Sequence, residues 1–535
     1  MSIDKSGNVP RQGGGGHRQV AKSAGVIGLA TLCSRLLGFV RDIVIARLFG
    51  VYVYAQAFVI AFKIPNLFRD MIGEGASNAA FVPVFSEYTG RGRKEEFWEL
   101  VNAGMNFILV VLSAITLLGI LLSPVLVRLV APGFSADAQQ FLTTVKLNRL
   151  IFPYILLIGL TAYFMGVLNS LRHFAVPAFA PCLLNIAIIV CALVWGEGIK
   201  GLASGVLIGG VLQLAVQVPV LYSKGYRFRF SLKGFGHPDL KRILRLLTPR
   251  LFSTAIYQLN NFVDTIFGSL VFIVGTGGVA ALYFSYRLIQ FPLGIFSNSL
   301  SQAILPVMST QAIEEDRSKL RKTVGFGLRS VLFVMIPASV AFMVLSKPMI
   351  SALFRGGKFD AYAVDMTASA LFFYSIGLFA YGATKVVNCA FFAIKDTVTP
   401  TKISVLTLVL NIVFNALLIY PLKIGGLALA TSISGIVTFA VSLQALKSRI
   451  GGVDLAGMAE YITKVIAASA GMGAVCLLAL GRGFGPGISG RALSIIVPVC
   501  AGAASYAVFC IALRVGPVAR IWEWMARKTA VPEEI

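Results

Sequence analysis

Apolar segments long enough to cross a lipid bilayer recur along the whole chain, separated by short polar stretches that are often basic. About 20 helical residues span the hydrocarbon core, so runs of 18 or more apolar residues are typical of transmembrane helices. A transmembrane barrel would show alternating segments of about ten residues, a pattern that this sequence lacks. The pattern predicts fourteen helical spans, at about residues 24–49, 53–87, 99–130, 144–168, 177–195, 202–222, 243–272, 278–308, 324–346, 364–393, 403–421, 424–446, 460–481 and 492–513.

The longest basic loop, at about residues 223–245, follows the sixth predicted span. Transporters are often built from internal repeats. We therefore predict an all-α membrane protein with two six-helix lobes around a central cavity and two further C-terminal helices. The predicted parts are a disordered cytoplasmic tail (1–22), an N-lobe (23–222), a basic cytoplasmic linker (223–242), a C-lobe (243–448), spans 13 and 14 (449–515) and a cytoplasmic interfacial tail (516–535).

The composition agrees with a membrane protein, since 57% of the residues are apolar and only 13% are charged. The net charge of +24 raises the question of nucleic-acid binding. Most lysines and arginines, however, lie in loops on alternate sides of the predicted spans, which is the positive-inside pattern. We therefore expect both termini in the cytoplasm and no nucleic-acid partner. The polar first 22 residues are not expected to be a cleaved signal peptide, because the apolar run after them is too long.

Sequence motifs for enzyme chemistry are absent. The seven cysteines lie in apolar segments without a CxxC pair, and the three histidines lie in the tail or loops. Phosphate-loop, zinc-protease and serine-hydrolase motifs do not occur either. We therefore expect a transporter rather than an enzyme, acting as a monomer. Its energy would come from an ion gradient or the membrane potential, and no cofactor is expected beyond a coupling ion.

Several charged residues fall inside predicted spans, where each costs about 2.5–3.5 kcal/mol at the bilayer centre. Such residues are therefore expected to line a cavity. The basic members are Arg35, Arg41, Lys63, Arg69, Arg287 and Lys385, and the acidic ones on spans 1 and 2 are Asp42, Asp70 and Glu74. The positive excess predicts an anionic substrate, and guanidinium groups match phosphate or carboxylate oxygens. The three acids could be gates, charge partners between helices or proton sites.

A second polar group is predicted on spans 7, 11 and 12. It consists of Asp264, Asn411, Asn415 and Thr431. One carboxylate with amide and hydroxyl oxygens is a candidate site for a hard monovalent cation such as Na⁺. Two alternatives remain open, because Asn and Thr also serve in ordinary polar helix packing and Asp264 could carry a proton.

Several segments resemble one known family. They are SRLLGFVRD, AFKIPNLFRDMIGEGASNAAFVPVF, FPYILLIGL, YRLIQFPLGIF and KDTVTPTK. In this combination and spacing, the chain resembles the MurJ (MviN) family of bacterial lipid II flippases, which belongs to the MATE-like exporter superfamily. The resemblance extends over about residues 20–515.

The resemblance implies an inner-membrane protein that moves lipid II from the cytoplasmic to the periplasmic leaflet by alternating access. It implies that Ser34, Arg35, Arg41, Arg69 and Arg287 hold the pyrophosphate and acidic peptide of lipid II in a V-shaped cavity. Spans 13 and 14 would form a groove for the undecaprenyl tail. Some family members bind sodium through an acid on span 7 and polar residues on spans 11 and 12, which matches the second polar group.

Rival functions remain open at this stage. They are transport of another undecaprenyl-linked saccharide, cation-coupled drug export, and a membrane scaffold without transport. The chain also departs from the family pattern, which often has acidic residues where Gln56, Tyr286 and Gln290 stand, and a basic residue at Asp70. These departures bear on ion coupling more than on the substrate class.

Overall fold

The computed structural model describes residues 15–69, 81–196, 198–231, 236–314, 316–452, 455–483, 485 and 487–515. These residues form α-helices and connecting turns, and their sole β-type pairing is an isolated bridge between Gly356 and Phe359. Nine described helices are long and apolar enough to cross a membrane, or ten if one bent pair counts as a single span. The predicted all-α membrane fold is therefore confirmed.

The helices follow one another along the chain with short connections. The first ten are α1 (Gly15–Phe49), α2 (Val53–Arg69), α3 (Val82–Gly90), α4 (Lys94–Leu121), α5 (Ser123–Val130), α6 (Ala138–Ile151), α7 (Tyr154–Ser170), α8 (Ala175–Val194), α9 (Ile199–Ala215) and α10 (Val218–Ser223). The next ten are α11 (Pro238–Gly268), α12 (Val271–Val274), α13 (Gly278–Pro292), α14 (Asn298–Gln311), α15 (Ser318–Phe354), α16 (Ala361–Ile376), α17 (Leu378–Ala393), α18 (Val398–Ile450), α19 (Leu455–Gly481) and α20 (Ile488–Ala512).

Two features relate these helices to the predicted spans. Helix α18 covers predicted spans 11 and 12, and its Lys423 has a left-handed φ of 50° at the predicted boundary between them. Helices α16 and α17 together match predicted span 10, with a bend of 45° at Gly377. Helix α1 begins at Gly15, inside the predicted tail 1–22. The described helices are compatible with fourteen spans.

The chain divides into two compact units. The first comprises Met1–Val44, Phe62–Leu122 and Leu147–Phe252, and the second comprises Ile45–Ala61, Ser123–Lys146 and Ser253–Ile535. Helices α1, α2, α6 and α11 contribute residues to both units. The predicted lobe boundaries at 23–222 and 243–448 stay predictions.

An aromatic cluster forms the core of the first unit between α3, α4 and α7. The ring centroids of Phe81 and Phe85 lie 5.2 and 6.0 Å from that of Tyr163, in edge-to-face geometry. Phe97 packs edge-on against Phe85. The buried Tyr163 hydroxyl donates to the carbonyl of Val101 at 2.8 Å, so its polar end is satisfied. Such aromatic pairs stabilise beyond their burial alone, and this cluster joins the three helices.

Small residues allow α8 and α9 of the first unit to approach closely. Gly201, Gly205 and Gly209 are four apart on α9 and therefore share one face. A Cβ atom at Gly205 would lie 2.7 Å from the Cα atom of Ile188 on α8. Close approach of backbones at small residues is a main source of helix association in membranes.

In the second unit, the turn between α1 and α2 is bonded to the segment before α16. The Tyr52 hydroxyl donates to Asp360 Oδ2 at 2.6 Å, and the Lys358 amide donates to the carbonyl of Arg47 at 2.9 Å. Asp360 also caps α16 by accepting from the Ala363 amide. The hydrogen bond to Asp360 raises the pKa of Tyr52 to about 12, and it lowers the pKa of Asp360. These contacts join the turn between α1 and α2 to the start of α16.

We predict that Gly205→Ala lowers the thermal unfolding midpoint of the detergent-purified protein. The added methyl group would meet backbone atoms of α8, and overpacking of this kind costs about 1–3 kcal/mol. Gly325→Ala on α15 is the matched control, because a Cβ there meets nothing within 4 Å. Equal midpoints for the two variants would contradict the close α8–α9 contact.

Candidate functional site

Arg41 and Asp42 form a buried ion pair in the first unit. Their side chains are 4% and 1% exposed. Arg41 Nη2 and Nε donate to Asp42 Oδ1 at 2.7 and 3.1 Å, and Arg41 Nη1 donates to Asn185 Oδ1 at 3.1 Å. The guanidinium also lies 5.6 Å from the ring centroid of Phe62. Arg41 is therefore neutralised and hydrogen-bonded within the protein.

Asn185 connects this pair to the helix backbone. Its Nδ2 donates to the carbonyl of Ser34 on α1 at 3.2 Å and to that of Pro181 on its own helix α8 at 3.3 Å. The side-chain oxygen of Asn185 thus binds Arg41, and its side-chain nitrogen binds the backbone of α1. The sequence analysis missed Asn185, although an amide inside the apolar run CLLNIAIIV was an available signal.

A phosphate or carboxylate on a substrate would have to compete with Asp42 for the guanidinium of Arg41. A charge-assisted pair in low dielectric is strong only while both partners are present. Asp42 therefore occupies the position at the guanidinium that an anionic substrate group would need.

The other predicted basic residues of the first unit differ in exposure. Arg35 is exposed on α1, whereas Ser34 and Lys63 are partly buried. Arg69 is the last residue of α2, and its side chain lies outside the described residues, as do Asp70 and Glu74. The roles predicted for these residues stay predictions.

Arg287 and Lys385 belong to the second unit. Arg287 on α13 is partly buried, with its guanidinium carbon 5.7 Å from the ring centroid of Tyr283. Lys385 Nζ on α17 donates to Asn298 Oδ1 at 2.5 Å. Asn298 begins α14, directly after the π-helical turn Leu293–Ser297. Arg287 thus contacts an aromatic face and Lys385 a neutral amide.

The four residues of the predicted cation site lie together in the second unit. Asn415 Nδ2 donates to Asp264 Oδ1 at 3.1 Å, and Thr431 Oγ1 donates to Asp264 Oδ2 at 2.9 Å. Asn411 hydrogen-bonds to both Asn415 and Thr431. Its Nδ2 donates to Thr431 Oγ1, and its Oδ1 accepts from Asn415 Nδ2, each at 3.1 Å. The sequence therefore predicted the members of this cluster, and their role as ion ligands stays a prediction.

The donor set of this cluster fits a small monovalent cation. It offers one carboxylate, two amide oxygens and a hydroxyl, and the carbonyl oxygen of Leu427 lies 3.1 Å from Thr431 Oγ1. Asn415 Oδ1 is buried and accepts no hydrogen bond from the part of the chain that the structure describes. An unused buried oxygen costs free energy unless it gains a partner. Oxygen ligands with a single negative charge suit Na⁺ better than a divalent transition metal.

Tyr374 is a buried polar side chain of the same unit that the sequence analysis missed. It is 2% exposed, and its ring centroid lies 5.5 Å from that of Tyr286 on α13. A tyrosine in the apolar run ALFFYSIGLF gives no sequence signal, since aromatic residues are common in spans.

Comparison with known proteins gives one consistent family. The model of the family described as lipid II flippase MurJ matches residues 45–497. The probable lipid II flippase MurJ of Buchnera aphidicola (subspecies Acyrthosiphon pisum) is 36% identical, covering 79% of this chain and 83% of its own length. The probable lipid II flippase MurJ of Vibrio cholerae is 33% identical and covers 93% of this chain and 97% of its own.

Solved structures give the same result for the fold. A lipid II flippase MurJ in an inward-closed conformation has a TM-score of 0.76 at 25% identity, covering 91% of this chain and 98% of its own. An inward-facing multidrug resistance transporter of the MATE family has a TM-score of 0.67 at 19% identity, covering 78% of this chain and 94% of its own. The similarity to the MATE-family transporter shows only that the two proteins share a fold.

We predict that Asp42→Ala destabilises the protein by about 3–5 kcal/mol, because it leaves the buried Arg41 charge without its partner. The matched control is Glu96→Ala, which breaks the exposed Arg93–Glu96 pair, both of whose side chains are more than half exposed. Exposed pairs contribute at most about 1 kcal/mol. Thermal unfolding in detergent would measure both, and an Asp42→Ala protein as stable as the control would exclude a structural role for the pair.

Proposed function

Because this chain belongs to the lipid II flippase MurJ family, we propose that it moves lipid II from the cytoplasmic to the periplasmic leaflet of the bacterial inner membrane. The observation that carries the proposal is the family match over residues 45–497, which includes the helices bearing Arg287 and the Asp264 cluster. Lipid II is a peptidoglycan precursor linked to undecaprenyl pyrophosphate. Its headgroup is the kind of anionic substrate that the basic residues require.

The buried Arg41–Asp42 pair supplies one way for the substrate to change the protein. A phosphate oxygen that reaches Arg41 would take the hydrogen bonds that Asp42 now accepts. The arrangement of α1 around Asn185 would then differ between the loaded and unloaded protein. A ligand shifts a conformational equilibrium only through such differential binding, so this exchange would favour alternating access.

Arg35 and Arg287 would add further guanidinium groups for the pyrophosphate and the acidic peptide, and Ser34, Lys63, Arg69 and Lys385 would complete the set. The planar fork of arginine binds two phosphate oxygens at once, which a lysine cannot do. Basic residues in the field of the membrane also respond to its potential, by about 2.3 kcal/mol per charge per 100 mV. The potential would thereby contribute to resetting the carrier.

The proposed orientation places both termini in the cytoplasm, with a single chain as the transport unit. The support is the distribution of the 47 lysines and arginines, most of which then lie in cytoplasmic segments.

The Asp264 cluster would hold a coupling cation, for which we propose Na⁺. Asp264, Asn411, Asn415 and Thr431 would be its ligands, and the bound ion would supply one positive charge to balance the carboxylate. The support is the set of oxygen atoms and the unused Asn415 Oδ1. Asn415 and Thr431 of α18 already point their donors at the Asp264 carboxylate.

We predict that Arg287→Ala fails to restore growth in a strain depleted of its own lipid II flippase, because it removes a substrate contact. Arg287→Lys should restore growth only partly, since it keeps the charge and loses the fork. The same assay applied to Arg35→Ala, Arg41→Ala and Arg69→Ala tests the other arginines. Arg93→Ala is the control, because Arg93 is exposed and pairs with Glu96.

Two outcomes would overturn the proposed function. One is full growth with Arg287→Ala. The other is a normal amount of lipid II in the periplasmic leaflet after loss of the protein, which would favour another undecaprenyl-linked saccharide as the substrate.

We predict that Na⁺ raises the thermal unfolding midpoint of the wild-type protein relative to choline at equal ionic strength. A ligand that binds only the folded state stabilises it by about 2.7 kcal/mol at 100 times its Kd. Asp264→Ala should abolish the shift because it removes the charged ligand. Asp365→Ala should keep it, since Asp365 pairs with Lys347 at the exposed start of α16. If Na⁺ still raises the unfolding midpoint of the Asp264→Ala variant, the ion binds at another site.

A further inference from the structure

A short non-helical segment follows α10 in the first unit and contacts α4. It comprises residues 224–231, and we call it the strap. Phe228 and Phe230 in the strap are 43% and 61% exposed. The strap has no acidic residue, and its basic residues are Lys224, Arg227 and Arg229. Large apolar side chains that are exposed together mark a surface for a partner or a membrane.

Two asparagines of α4 hold the backbone of the strap. Asn102 Nδ2 donates to the carbonyl of Arg227 at 3.0 Å, and Asn102 Oδ1 accepts from the Arg229 amide at 3.0 Å. Asn106 lies one turn further along α4, and its Nδ2 donates to the carbonyl of Arg229 at 2.8 Å. Because these bonds use backbone atoms of the strap, they fix its course independently of its side chains.

Aromatic and capping contacts anchor the start of the strap. The buried ring of Tyr226 has its centroid 5.7 Å from that of Trp98 on α4. Arg227 Nη1 donates to the carbonyls of Tyr222 and Tyr226 at 3.0 and 2.8 Å, and its guanidinium lies 5.3 Å from the ring centroid of Tyr222. Arg227 therefore holds the end of α10. The exposure of the two phenylalanines is thus a property of an anchored segment.

The bonds to α4 also show where the strap lies relative to the membrane. Asn106 directly precedes an uncharged, mainly apolar run at 107–127. That run is long enough to cross the hydrocarbon core, which takes about 20 helical residues. Asn102 and Asn106 therefore mark the level at which the headgroups meet the hydrocarbon core. The strap is bonded to both asparagines, so its phenylalanines lie at the same level.

The basic side chains of the strap differ in what they contact. Those of Lys224 and Arg229 are exposed, and neither forms a hydrogen bond or ion pair with the residues that the structure describes. Interfacial segments combine such residues with phenylalanine, because the ring enters the acyl boundary while the cation pairs with an anionic lipid. In the proposed orientation the strap meets the cytoplasmic leaflet, whose anionic lipids attract basic segments.

We propose that the strap is a binding site for the headgroup of an anionic membrane phospholipid. Arg229 and Lys224 contact the phosphate, and Phe228 and Phe230 enter the boundary between the headgroups and the acyl chains. The inference goes beyond the proposed function, because the ligand is a lipid of the surrounding bilayer rather than the transported substrate. It therefore stands or falls independently of lipid II transport.

The first test measures hydrogen exchange of the full-length protein in lipid nanodiscs by mass spectrometry. One set of discs contains phosphatidylcholine alone, and the other also contains phosphatidylglycerol in both leaflets, so the result does not depend on the orientation. Amides of residues 224–231 should exchange at least about fivefold more slowly with phosphatidylglycerol, the effect of one basic residue near an anionic surface. Equal exchange in the two sets would overturn the inference and favour a protein partner.

The second test changes exposed side chains of the strap. Arg229→Gln keeps the backbone bonds to Asn102 and Asn106 but removes a charge, so it should lose most of the slowing by phosphatidylglycerol. Phe228→Ser combined with Phe230→Ser should make the strap exchange faster in both sets of discs, because the apolar insertion is lost. Wild-type behaviour of either variant would contradict the proposed site.

Two matched controls lie in the connection between α14 and α15. Lys319→Gln removes an exposed charge that pairs with Glu314, and Ile313→Ser removes an exposed apolar side chain. Both variants should keep the slowing of the strap by phosphatidylglycerol. Its loss in either control would assign the effect to the overall charge or stability of the protein and overturn a specific site.

A further arm separates a lipid headgroup from a dissolved anion. Inorganic phosphate is added to the phosphatidylcholine discs at constant ionic strength. It should leave exchange of the strap unchanged, because the proposed site also needs the acyl boundary for its phenylalanines. Slowing by inorganic phosphate equal to that by phosphatidylglycerol would show a site for a small anion and overturn the lipid assignment.

Discussion

The structure depends on one constraint, which is that charges and polar groups inside a membrane protein must find partners within the protein. Arg41 and Asp42 show how the first unit meets it. The two opposite charges neutralise each other, and Asn185 satisfies a remaining N–H of the guanidinium while its own amide binds the carbonyl of Ser34. The pair and Asn185 therefore form a structural contact between α1 and α8.

The Asp264 cluster meets the same constraint in a different way. Its carboxylate accepts hydrogen bonds from the neutral side chains of Asn415 and Thr431. Hydrogen bonds compensate the desolvation of a carboxylate only in part. A site that carries a carboxylate and several other oxygen atoms is suited to a mobile cation, whereas the Arg41–Asp42 pair is already neutral.

These two sites differ in how far the sequence could predict them. Asn411 and Asn415 are four residues apart on one helix, so their common face follows from helical geometry. Asp264 stood out as an acid inside a predicted span. The sequence could not show that Asn415 and Thr431 bond to Asp264, because that contact depends on how α18 packs against α11. The sequence shows Asn185 as a polar residue in an apolar run, but it does not show that Asn185 bonds to Arg41 and Ser34 on α1.

The sequence by itself determined that the protein is helical and lies in a membrane, because hydropathy over about 20 residues is a local property that no packing can change. From the excess of basic residues in apolar segments it also predicted an anionic substrate. Only the tertiary structure distinguished Arg41 from Arg35, which the sequence treats alike. Arg41 is buried against Asp42 and Asn185, and Arg35 is exposed. The physical reason is that burial and pairing depend on which face of α1 contacts α8, and helix packing sets that contact through residues distant in the chain.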